Sequence, residues 1–139
     1  MLQRIQSVWT LLAAICAALT FKFSFFSGNK AVDVTGHRFT SVTATSSVLI
    51  LLVTVIITAA TLINIFNYKN RRRQIWINIG LIILSLLNIF LYFKESQGFV
   101  EGKYDLTAVL SFVIPLFLIL AVRGIMKDDK LVKSADRLR

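Results

Sequence analysis

The sequence is short of charge, and what charge it has is unevenly placed. Only 17% of its 139 residues are Asp, Glu, Lys or Arg, against 56% hydrophobic. Ordinary globular domains carry about 25% charged residues. Four stretches contain none at all: residues 5–21, 39–68, 74–93 and 106–122. There is one cysteine, Cys16, which excludes a disulfide framework and a paired-cysteine metal site. There is one histidine, His37, outside those stretches and without neighbouring cysteines or clustered carboxylates, so it reads as a connector residue. No Ser/His/Asp set, phosphate-binding glycine loop or metal motif is visible, and no cofactor is expected. No acidic residue falls within the candidate spans, 5–25, 46–67, 75–93 and 106–122, which weighs against proton- or cation-coupled transport.

Each uncharged stretch is long enough to cross the hydrocarbon, which takes about 17–25 residues as a helix. Ile50–Ile57 and Ile79–Leu87 lack the polar stripe that a water-facing helix would show. The fold class expected is an all-α membrane protein, a bundle of four transmembrane helices. The spans fall at about 5–25, 46–67, 75–93 and 106–122, and residues 123–139 form an amphipathic tail. A signal peptide is the rival reading of the first span. It lacks a small-residue cleavage site followed by polar sequence, since Phe21, Phe23, Phe25 and Phe26 come next.

The cations give an orientation. With four spans, one side receives Arg4, the turn cations Lys69, Arg71, Arg72 and Arg73, and Arg123, Lys127, Lys130, Lys133, Arg137 and Arg139. The other receives Lys22, Lys30, Arg38, Lys94 and Lys103. Basic residues near span ends mark the cytoplasm, so both termini are expected inside. That asymmetry accounts for the net charge of +9 without a nucleic-acid partner.

Within the connectors, Gly28-Asn29 is a turn signal between alternating runs, and residues 26–40 are expected to form a short β-hairpin or an extended cap. Residues 94–105, with Gly98 and Gly102, read as a loop. Within the spans, Ala13, Ala14, Ala17 and Ala18 would let a second helix approach closely. Ser47, Thr54, Thr58 and Thr61 share a face of span two. Asn78, Ser85, Asn88 and Tyr92 lie along one face of span three, with Asn64 and Asn67 nearby. An amide facing lipid is costly, so these should turn inward and pair. Packing contacts are their first reading and a polar pathway their second. Pro115 should kink span four and free the Ser111 carbonyl.

The opening MLQRIQSVWTLLAAI, the turn RRRQIWIN and the close AVRGIMKDDKLVKSADRLR resemble a bacterial membrane family, domain of unknown function 4293, of the Bacteroidetes. The resemblance covers essentially the whole chain. It implies an inner-membrane location and a four-helix form, and it brings no functional residues with it. The function expected is therefore a non-enzymatic accessory or scaffold protein. It would contact lipid or partner membrane proteins through Lys69, Arg71, Arg72, Arg73, Lys130, Lys133 and Arg137. The alternative is a small-molecule carrier or channel using Thr54, Thr58, Asn78 and Asn88.

Overall fold

The computed structural model describes residues 3–32, 36–67 and 70–137. Four helices dominate: α1, Gln3–Leu19; α2, Val48–Phe66; α3, Arg71–Ser96; and α4, Val109–Arg137. Each helix packs on two others in a closed ring, α1 on α2 and α4, and α3 on α2 and α4. Three helical segments are long and apolar enough to cross a membrane: Val48–Phe66, Arg71–Ser96 and Leu106–Val132. The 17-residue α1 is the short member. The chain leaves its helix at Leu19, earlier than the Phe25 expected, and turns through Phe23 on backbone bonds to Ala18 and Leu19.

The two longer connections meet in a three-stranded antiparallel sheet. Strands β1 (Phe26–Val32), β2 (Gly36–Val42) and β3 (Phe99–Tyr104) lie in the order β2-β1-β3. This corrects the sequence reading twice. Gly28 and Asn29 are not a turn but lie inside β1, opposite Thr40 and Phe39. The β1–β2 pairing runs to Val32 opposite Gly36, and residues 33–35 lie outside the described residues. Nor is 94–105 only a loop, because β3 runs along the other edge of β1, with Phe26 opposite Tyr104 and a bulge at Asn29/Lys30. A two-stranded hairpin is marginal by itself, and a third strand with helices beneath supplies what it lacks. Gly102 is required there. A Cβ on it would meet the Phe26 ring at 2.4 Å and the Ser27 carbonyl at 2.9 Å. His37 accordingly lies in β2, opposite Ala31, rather than in a loop.

Because one sheet joins both connections, they lie at the same end of the ring, and successive helices run antiparallel. That sheet end is bolted by Asp105. Its carboxylate accepts from the hydroxyls of Ser24 and of Ser27, the latter at 2.8 Å. Its N–H donates to the Phe25 carbonyl at 3.2 Å. Thr107 donates its hydroxyl to the Ser24 carbonyl. At the opposite end, an Arg71 guanidinium N–H donates to the Asp128 carbonyl at 3.4 Å, tying the start of α3 to α4. Helix α4 continues without a break to Arg137, so the expected tail extends span four rather than forming a separate element. Pro115 is accommodated inside α4, buried.

The core has two parts. In mid-bundle, Ala13, Cys16 and Ala17 of α1 meet Ile57, Leu81, Ile114 and Leu118 from the other three helices. Ala13, Ala14 and Ala17 are buried as their size suggested, while Ala18 faces outward. Under the sheet, Phe25, Phe26, Val42, Ile50, Tyr92 and Ala108 form the second cluster.

Candidate functional site

The buried positions of the helices repeat at alternating steps of three and four. In α2 they are Ile50, Thr54, Ile57, Thr61 and Asn64; in α3 the run is Gln74, Asn78, Leu81, Ser85, Asn88 and Tyr92, with Ile89 and Ser96 buried besides. A 3.5-residue repeat is the signature of knobs-into-holes packing at a shallow angle. Here more than half of the inward positions are polar, while large apolar side chains face out. Leu49, Leu52, Ile56 and Ile63 of α2, and Ile83, Leu86 and Phe90 of α3, are all more than half exposed. Water would favour the reverse arrangement. Only 28% of the hydropathic window of α2, and 33% of those of α3 and α4, is buried within the chain.

The inward polar groups are used across the α2–α3 seam. Asn64 donates its amide nitrogen, Nδ2, to Asn78 Oδ1 at 2.8 Å. Gln74 Nε2 donates to the Asn64 backbone carbonyl at 3.4 Å. Nearer the sheet, Asn88 Nδ2 donates to Thr54 Oγ1 at 3.1 Å, and that hydroxyl donates in turn to the Ile50 carbonyl at 2.8 Å. Thr58 and Thr61 bond back to their own helix, to the Thr54 and Ile57 carbonyls. Thr58 is half-buried and stands outside the pairing. Among the described residues, four buried polar atoms lack a partner of good geometry: Asn64 Oδ1, Asn78 Nδ2, Asn88 Oδ1 and the Tyr92 hydroxyl. The last faces Thr20 and Thr54 without closing a bond to either.

Thr54, Asn78 and Asn88 are thus brought to one seam, each bonded to a group on the facing helix. Sequence reasoning did not single out Gln74, which it left in the inner turn. The signal was one heptad step: Gln74 precedes Asn78 by four and Leu81 by seven. The seam's bonds are testable by a double-mutant cycle. Asn64→Leu and Asn78→Leu singly each strand a buried amide and should destabilise the fold by about 1–3 kcal/mol. The double variant should recover a coupling of about 0.6–1.7 kcal/mol, the range for such pairs in membranes. Unfolding in mixed micelles measures it, and strictly additive losses would show that the two amides do not interact.

The cations expected to make contacts gather at the end away from the sheet. Arg71, Arg72 and Arg73, with Asn70 and Asp129, line an open groove of about 420 Å³. Arg123, Gly124, Met126, Lys127 and Lys130 line another of about 390 Å³ on α4. Lys69 lies outside the described residues. Lys133 and Arg137 fall in the last turns of α4. Among the described residues no three His, Cys, Asp or Glu converge as a metal site.

Taken together, the geometry defines a small, mostly helical protein with three helices fit to cross a membrane, a polar interhelical seam and a three-stranded cap. The chain belongs to the family described as domain of unknown function DUF4293, whose model matches residues 2–138. No curated protein and no solved structure matches it.

Proposed function

We propose that the protein is a non-enzymatic accessory or scaffold component of a bacterial inner membrane. It would cross the bilayer four times with both termini in the cytoplasm, and hold anionic lipid and partner membrane proteins through its cationic end. The observation that carries this reading is the inverted side-chain distribution, amides inside and Leu, Ile and Phe outside, combined with basic grooves gathered at one end. Lipid as the surrounding solvent accounts for the first. The positive-inside bias accounts for the second. Even α1, at about 1.5 Å per residue, approaches the hydrocarbon thickness once the turn through Phe23 is added.

The carrier or channel reading has less support. Thr54 and Asn88 bond to one another, and Asn78 to Asn64, so the groups that would line a pathway are engaged in holding α2 to α3.

The test is made on cells expressing the full chain with a tag after Arg139. The tag should resist protease added to spheroplasts and be cleaved in inverted vesicles. Native complexes should lose this protein, and change in size, when Arg71, Arg72 and Arg73 are replaced by Gln. A tag cleaved from outside would overturn the topology, and complexes indifferent to the substitutions would overturn the scaffold role.

A further inference from the structure

The outward face of α4 changes character once along its length. Val109, Phe112, Leu116 and Ile119 are exposed and apolar. The same face then continues as Arg123, Lys127 and Lys130, all exposed. At 3.6 residues per turn these seven positions fall within about 100° of arc, one continuous stripe. The three cations line the open groove of about 390 Å³ together with Gly124 and Met126. None of the residues lining it is acidic. The groove at Arg71–Arg73 differs in this respect, because Asp129 lines it. On α4, Asp128 is buried and turned inward instead.

From Arg123 to Lys130 the helix rises by about 10 Å, and from Phe112 to Arg123 by about 16 Å. The first distance suits a headgroup phosphate held between two or three cations. The second matches one leaflet of hydrocarbon, about half of a 30 Å core. We propose that this stripe is a binding site for an anionic phospholipid. Its phosphate sits among Arg123, Lys127 and Lys130, and its acyl chains lie along Ile119, Leu116 and Phe112. Arginine offers a forked donor to phosphate oxygens and lysine a mobile point charge, so the pair of types suits a phosphodiester. The site deepens the proposed function by naming the residues of α4 that hold the phosphate and the acyl chains, and it rests on the membrane reading.

The experiment uses the full chain reconstituted in bilayers of phosphatidylcholine with a minor fraction of spin-labelled phosphatidylglycerol or phosphatidylcholine. Wild type should retain the labelled anionic lipid selectively. The triple variant Arg123→Gln/Lys127→Gln/Lys130→Gln should weaken that retention on the order of 100-fold. The triple Lys22→Gln/Lys94→Gln/Lys103→Gln, an equal change of charge on exposed lysines at the sheet end, should alter it far less. Inorganic phosphate at constant ionic strength should not displace the lipid, because it lacks the acyl chains. Equal losses from both triples would reduce the site to diffuse attraction and overturn the inference, as would displacement by free phosphate. A chain that fails to remain with the bilayer in any form would overturn the membrane reading instead.

Discussion

Phe25→Ala should destabilise the protein more than any other single truncation at the sheet end, by about 3–5 kcal/mol. Phe25 belongs to no helix or strand, yet it joins most of them. Its N–H donates to the Val42 carbonyl at 2.7 Å, and its own carbonyl accepts from Asp105. The ring is 3% exposed. It stacks on Tyr92 of α3 at 4.7 Å between centroids, with 13° between the planes. Phe93, Tyr104 and Phe112 surround it edge-on or tilted, 5.7–6.1 Å away. Alanine would leave a void bounded by four rigid rings, and stiff walls collapse poorly onto a cavity. Phe25→Leu, which keeps most of the volume, should recover much of the loss. Equilibrium unfolding in mixed micelles measures both variants. An alanine variant within about 1 kcal/mol of wild type would mean that the aromatic cluster does not hold the sheet to the helices.

Leu118→Ala should cost about 2–5 kcal/mol, while Ile119→Ala, one residue along, should be nearly neutral. Leu118 is fully buried, in the mid-bundle cluster with Ala13, Ala17, Ile57 and Leu81. Ile119 is 46% exposed. The reasoning differs from that for a soluble core. In a bilayer the separated helices would also be surrounded by hydrocarbon, so transfer from water contributes little. What Leu118 supplies is dispersion contact in a close-packed interior, and its truncation leaves a void that lipid tails outside do not fill. The paired measurement therefore reads the inward and outward faces of α4 directly. Equal losses at both positions would contradict the placement of this helix.

Much of the fold was legible because charge and length are properties of the chain itself. Each of the uncharged stretches 39–68, 74–93 and 106–122 overlaps one of the three segments fit to cross a membrane, though Arg71–Ser96 and Leu106–Val132 run past theirs, and the amides of span three did turn inward. The inward turn was predictable from desolvation: an amide has nowhere better to go than another amide or a hydroxyl. The apolar positions were another matter. In water, hydrophobicity says which side of a helix is inside. In a chain such as this, Leu118 and Ile119 are chemically alike and only the packing separates them.

The sheet was the least legible part. Its strands are short, Gly28 and Gly102 stand opposite one another within it, and Gly-Asn inside β1 imitates a turn. A strand pattern weakened by glycine is rescued by a neighbour, here the Phe26 ring lying over Gly102. Nothing local to residues 99–104 announces that, because the partner strand, Phe26–Val32, lies far earlier in the chain.

What the sequence by itself determined is the set of apolar segments, the gathering of basic residues at 69–73 and beyond residue 122, and the polar groups that must find partners. Tertiary structure alone decided who those partners are: Asn64 with Asn78, Thr54 with Asn88, Asp105 with Ser24 and Ser27. The division has a physical cause. Burial and charge energies act on each residue wherever the chain goes, whereas a hydrogen bond between helices exists only at one register. That register is set by the closing of the whole ring, small residues of α1 against α4 and the shared sheet above.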